Sequence, residues 1–93
     1  MHMEKKGVFG LLTRKFGFTL EVDIHGMRVM QAQDELERLI ARCGNDVHEI
    51  VVIHGYHGGN ALQNMVRNDL HSTKILRREL SLNNGQTVLI LRH

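Results

Sequence analysis

The sequence has no proline, no tryptophan and a single cysteine. With Cys43 alone there is no intramolecular disulfide and no four-cysteine zinc site. A lone thiol suits a reducing compartment, so a cytoplasmic setting is expected. Only four residues are aromatic (Phe9, Phe16, Phe18 and Tyr56), which leaves the core to Leu, Ile, Val and Met. Long apolar runs are also missing: Val88 to Leu91 is far too short to span a bilayer, and the N-terminus lacks the apolar stretch of a signal peptide. No membrane partner is expected. What is present is an ordinary globular balance, 42% apolar and 24% charged in 93 residues, enough for one small domain and too little for two.

Neither sign of charge dominates the whole, at net +2, but the distribution is uneven. Residues 1–18 carry +3, residues 19–59 carry −4 and residues 60–93 carry +3. A basic tail and a basic last third could form the footprint of a polyanion binder; a solvated surface gives the same pattern. Residues 1–18 show no clear period and fit a tail, an extra strand or a short helix. Their apolar residues argue for packing on the domain, on a partner or on a second copy of the chain.

From residue 19 onward the pattern is clear. Leu20, Val22 and Ile24 alternate with Glu21, Asp23 and His25, which is a strand. Val29, Ala32, Leu36, Leu39, Ile40 and Cys43 mark one face of a helix over 28–43, with Gly44 as its stop. The run Ile50-Val51-Val52-Ile53 predicts a strand buried on both faces. A glycine-rich loop follows, and Asn60 suits the N-cap of a second helix with its stripe at Leu62, Met65, Val66 and Leu70. Strands over 75–82 and 87–92 flank the turn Asn83-Asn84-Gly85-Gln86. The order β-α-β-α-β-β predicts an α/β layer closed by an antiparallel hairpin.

Two strands end in the same dipeptide, His25-Gly26 and His54-Gly55. If the strands are parallel, both histidines lie on the rim where α/β sheets bind ligands. Asp23 shares a face with His25, and His57 follows in the loop. Imidazole beside carboxylate suits proton transfer, and a glycine loop leading to a helix N-terminus suits phosphate; together they point to phosphodiester chemistry. A His-Gly pair also makes a plain turn, and Gly58-Gly59 a plain approach to a helix. Asp-x-His with a distant His-x-x-His is not a specific zinc spacing. Arg67 and Arg77 are candidate phosphate contacts, whereas Cys43 and the methionines read as packing.

The segments Val22-Asp23-Ile24-His25-Gly26-Met27-Arg28-Val29, Val52-Ile53-His54-Gly55 and Asn83-x-Gly85-x-Thr87, in that order, resemble the Smr (small MutS-related) domain over about residues 19–93. The resemblance implies a two-layer α/β sandwich, α+β-like, in which a mixed four-stranded sheet packs on two helices. It leaves residues 1–18 as an N-terminal extension. It also implies binding of DNA or RNA, with some members nicking DNA and others cleaving RNA. Asp23 and His25 are the residues it implicates in cleavage. His54 lies on the presumed active surface, with Gly26, Arg28, Gly55, Tyr56, His57, Gly58, Gly59 and Asn60 about it. Catalysis would then use Asp23, His25 and His54, with a divalent metal (magnesium or manganese) held by Asp23 as one version. The chain departs from the family's His-Gly-Lys-Gly-x-Gly with Leu-Arg close behind: Tyr56 replaces the lysine, Gln63 the arginine, and the loop is one residue longer. Tyr56 could stack on a base and Arg67, one turn on, could supply the lost cation. A non-catalytic protein-interaction module and a small-molecule or metal site at the histidines remain the alternatives.

Overall fold

The computed structural model describes residues 10–55 and 59–92. Its elements are β1 (Leu12–Phe16), β2 (Thr19–Asp23), α1 (Val29–Arg42), β3 (Glu49–Ile53), α2 (Ala61–Asn64) running into a π-helical stretch (Met65–Asp69), β4 (Ile75–Leu80) and β5 (Gln86–Leu91). The strands form one mixed sheet in the order β1-β2-β3-β5-β4. Only β2 and β3 are parallel; the other three pairings are antiparallel. The expected β-α-β-α-β-β order is therefore present, with a fifth strand at its front. Among the described residues no helix is long and apolar enough to cross a membrane.

The extra strand, one of three options for residues 1–18, is not singled out by the sequence because one face of β1 mixes polar with apolar residues and the other, Thr13 and Lys15, is polar. Leu12, Arg14 and Phe16 pair with Asp23, Glu21 and Thr19, so Arg14 falls between two apolar neighbours. Its guanidinium is held by Glu21, 2.7 Å away. Gly17, at φ +60, supplies the positive φ that a two-residue hairpin demands. Any self-association through residues 1–18 thus concerns a segment partly built into the sheet and partly, at 1–9, outside the described residues.

The helices cover one face. Leu20, Val22 and Ile24, then Ile50 and Val52, then Leu89 and Leu91 bury against Ala32, Leu36, Leu39 and Ile40 of α1 and against Met65, Val66 and Leu70. The β3 run is buried on this face only; Val51 and Ile53, on the other, are half-exposed. Unbroken β-branched sequence here reflects a central strand whose second face is screened by its neighbours, Glu21 and Val88 beside Val51. The helix ends also differ from expectation. Gly44 is not left-handed; α1 stops because Cys43 turns extended, at φ −69 and ψ 148. Lys74 Nζ then takes the carbonyls of Ile40, Ala41 and Cys43 at 2.9–3.1 Å. Asn60 makes no side-chain cap; its carbonyl simply accepts the Asn64 amide, 2.9 Å away.

Leu36, fully buried, and Met30, 84% exposed, share α1 and test this layering. Leu36→Ala should cost about 2–5 kcal/mol in urea unfolding. Met30→Ala should change stability by less than about 0.5 kcal/mol.

Candidate functional site

The parallel pairing brings the two His-Gly ends together. The β2–β3 ladder runs one residue past the strands, with the Ile24 amide 2.9 Å from the Ile53 carbonyl. His25-Gly26 and His54-Gly55 follow, each glycine at positive φ, +80 and +77. The first pair makes a tight turn, closed by the Met27 amide donating to the Ile24 carbonyl at 3.0 Å. At the second the backbone comes so close that a Cβ on Gly55 would lie 3.5 Å from Cβ of His25.

Asp23 and His25 form a dyad. Asp23 Oδ1 accepts the His25 backbone amide at 3.0 Å and the ring Nδ1–H at 2.6 Å. A carboxylate accepts, so Nδ1 carries a proton, and in the neutral ring Nε2 keeps its lone pair. The His25 side chain is 67% exposed and that of Asp23 only 15%. The ring therefore stands in solvent on a sheltered carboxylate, which suits proton transfer.

His54 is placed differently. It is 4% exposed, with both ring nitrogens engaged. Nδ1 donates to the Gly55 carbonyl at 2.9 Å, so Nε2 accepts from the Thr87 hydroxyl, also at 2.9 Å. Thr87 Oγ1 in turn accepts Arg67 Nε–H at 2.9 Å. The Gln63 side-chain amide lies against the far nitrogens of the same guanidinium, and oriented with its oxygen toward them it accepts from both. Burial lowers the His54 pKa from its ordinary 6.5; the bond to Gly55 opposes the shift and the Arg67 charge adds to it. The chain Arg67–Thr87–His54–Gly55 fixes a neutral imidazole beneath the rim.

The same hairpin holds the His54-Gly55 backbone. The Gly85 carbonyl accepts the amides of His54 and Gly55 at 2.9 and 3.0 Å. Asn83 Oδ1 accepts the Gly85 amide at 2.8 Å. Asn83, Gly85 and Thr87 are thus the mould for the second His-Gly pair, a role the sequence reading did not assign. The available signal was a threonine at a core position of an otherwise apolar strand. Arg67 reaches Thr87 from the π-helical stretch, which the Leu70 amide closes on the Met65 carbonyl at 2.8 Å.

Two clefts meet at His25. One, of about 500 Å³, lies between the His-Gly ends and the start of α2, lined by Met27, Val29, Ile53, Gly55, Gly59 and Leu62 among others. The second, of about 410 Å³, is bordered by Gly10, Asp23, Gly26, Arg28 and Gln31. Arg28 has no ion pair among the described residues and precedes α1, whose start carries no side-chain cap and no acidic residue. Asp23, His25, Gly26, Arg28, Gly55 and Gly59 are thus brought to one rim, with His54 and Arg67 beneath it and Asn60 beside Gly59. Tyr56, His57 and Gly58 lie outside the described residues, as do Lys5 and Lys6. Arg77 is elsewhere, in mid-strand on β4 and paired to Glu79 at 2.7 Å. Cys43 gives its thiol proton to the Ile40 carbonyl, and burial raises its pKa, as suits a packing residue. No group of three or more His, Cys, Asp or Glu among the described residues is placed to hold a metal ion.

A family model described as the Smr domain matches residues 22–87. Among solved structures, the crystal structure of the Smr domain of Thermus thermophilus MutS2 superposes with a TM-score of 0.70, at 24% identity, over 78% of this chain and 98% of that one. At that identity the likeness is one of fold. No curated protein matches the chain.

Two measurements check the relay beneath the rim. Thr87→Val removes the donor to His54 and the acceptor of Arg67; it should cost about 1–3 kcal/mol, much of which Thr87→Ser restores. The second is pH. The unfolded chain binds the His54 proton more readily than the folded one, since the folded pKa is lowered from 6.5. The stability gained from neutral His54 is complete above that value and is lost as the pH falls through the folded-state pKa. Urea midpoints should fall on acidification, and less so in His54→Gln.

Proposed function

The chain belongs to the Smr domain family, a family of nucleic-acid-binding modules, and we propose that it binds nucleic acid along the His25 rim and cleaves a phosphodiester there. The observation that carries this reading is the Asp23–His25 dyad, exposed where two clefts meet. Phosphate is drawn by Arg28 and by the uncapped start of α1, whose amides and dipole favour an anion. Gly26 and Gly55, without side chains, let a backbone approach. Tyr56, His57, Gly58, Gly59 and Asn60 complete the proposed contact segment.

In the cleavage step Nε2 of His25 takes the proton of the attacking hydroxyl, from water or from a ribose. Asp23 holds the ring through Nδ1 and stabilises the imidazolium that forms. The same Nε2 then returns the proton to the leaving oxygen. His54, with no free nitrogen, positions Gly55 and the glycine loop. Asp23 is the one carboxylate lining either cleft, and Oδ1 is committed to His25. No group of three or more His, Cys, Asp or Glu is gathered here among the described residues, and the proposed step runs on the side chains alone. A cytoplasmic setting, in keeping with the lone thiol Cys43, offers both DNA and RNA.

Gln63 favours a second reading, binding without cleavage. It stands where the family has an arginine and turns onto Arg67 instead of offering a charge.

The deciding experiment is a cleavage time course on end-labelled single- and double-stranded DNA and RNA, with magnesium, manganese or chelator. Wild type should cut at least one substrate, and His25→Ala should be slower by about 100-fold or more. Binding of any substrate without cutting supports the second reading, and neither binding nor cutting rejects both. Arg28→Ala should weaken binding and lower the slope of log K against log salt by about one.

A further inference from the structure

Among the described residues the sheet has two free edges, and they differ in character. β1 carries the cations Arg14 and Lys15 and no acid. Among the described residues β4 pairs only with β5, and its side chains from Leu76 to Leu80 are exposed on both sides of the sheet. Leu76 is 47% exposed, Leu80 73% and Leu82, just beyond, fully so. An apolar edge with unpaired backbone groups is a template for another strand.

The pattern on β4 says which strand. Leu76-Arg77-Arg78-Glu79-Leu80 matches its own reverse when two copies run antiparallel about Arg78. Arg77 then opposes Glu79 of the second copy and Glu79 opposes its Arg77, within the regular part of β4; each Leu76, at the bulge between Ile75 and Arg77, comes level with a Leu80 at the end of the pairing. Shifting the register by one residue sets Arg77 against Arg78 in one direction and loses both leucine pairs in either. The central Arg78 does not bring two like charges together, because its guanidinium is drawn back onto the Val66 and Leu70 carbonyls. Arg77 and Glu79 lie on the face away from the helices, opposite Ile90 and Val88, so their partners across the axis meet in open space. An existing Arg77–Glu79 pair on each chain would become a cluster of four alternating charges.

We propose that β4 is a homodimer edge, joining two five-stranded sheets into one of ten strands by an isologous contact about Arg78. β4 is antiparallel to β5, as β3 is, so β4 and β3 run in the same direction. The second copy's β4 runs the opposite way, and the two His25 rims face opposite ends of the joined sheet. Each rim is complete within its own chain.

Sedimentation equilibrium of the full chain over a wide concentration range tests this, with circular dichroism confirming the fold of each variant. Wild type should show a monomer–dimer equilibrium. Glu79→Arg sets two arginine pairs against each other and should weaken it by about tenfold or more. Leu80→Lys should also weaken it. The charge exchange Arg77→Glu with Glu79→Arg restores opposite signs across the axis and should restore the dimer. A wild-type chain that stays monomeric to about 1 mM overturns the proposal, since weaker contacts than that are not specific assembly. So does a dimer that Glu79→Arg and Leu80→Lys leave unchanged, or one that the charge exchange fails to restore.

Discussion

Gly55 and His25 stand so close that a Cβ on Gly55 would touch that of His25 at 3.5 Å, and the rim depends on that closeness. It is possible because β2 and β3 are parallel and in register, Asp23 beside Ile53, so both strands end at one level. It also requires a residue with no side chain at φ +77, a conformation that L-residues with a Cβ seldom adopt. A bulkier residue at 55 would meet strain from its own backbone and a neighbour at van der Waals distance. The turn at Gly26 and the hairpin at Gly85 then act on a position already set.

The hairpin explains why three short motifs travel together in the sequence. Asn83 holds Gly85, Gly85 holds the amides of His54 and Gly55, and Thr87 holds the His54 ring. All but the first of these contacts are long-range: Asn83 and Gly85 are two residues apart, but His54 and Thr87 are 33 apart. The sheet order makes them near, because β5 inserts beside β3 while β4 goes to the edge. Arg67 joins from the helical layer, and the wider π turn in which it sits is part of that reach. The polar core at Thr87 and His54 is satisfied throughout, which is the condition for burying it at modest cost.

The four strands and two helices from residue 19 onward were legible because one buried face imposes period two on strands and a stripe on helices. Leu20, Val22 and Ile24 could be read this way, and so could Leu36, Leu39 and Ile40. β1 could not, since Arg14 sits on an apolar side and is made tolerable by Glu21, a contact seven residues away that no window of sequence displays. The stop of α1 was misread for a similar reason. Gly44 is a local signal, but the capping is done by Lys74, some thirty residues on. At the rim, Asp23 and His25 were legible as a strand pair two residues apart. The engagement of both His54 nitrogens was not, since it depends on Thr87 and on the turn taken by Gly55.

Identical dipeptides acquire opposite roles here because of where their strands stand in the sheet. β3 is central, and past its end His54 is overlaid by Thr87 from β5 and by Arg67 from the helical layer. Burial then favours the neutral ring and leaves no nitrogen for substrate. β2 is one strand from the edge, and the β1 ladder begins at Leu12 opposite Asp23. His25, two residues beyond the end of β2, has no β1 partner and stands clear. Its orientation therefore comes not from packing but from the carboxylate two residues back on its own strand, the nearest group of the right chemistry. An exposed imidazole oriented by a sheltered carboxylate can bind and release a proton without disturbing the core, whereas protonating His54 would turn its bond to Thr87 from acceptor to donor and set a second buried charge near Arg67. The fold thus leaves the histidine nearer the sheet edge exposed, as the proposed cleavage requires, and ties both nitrogens of the one at its centre into the surrounding structure.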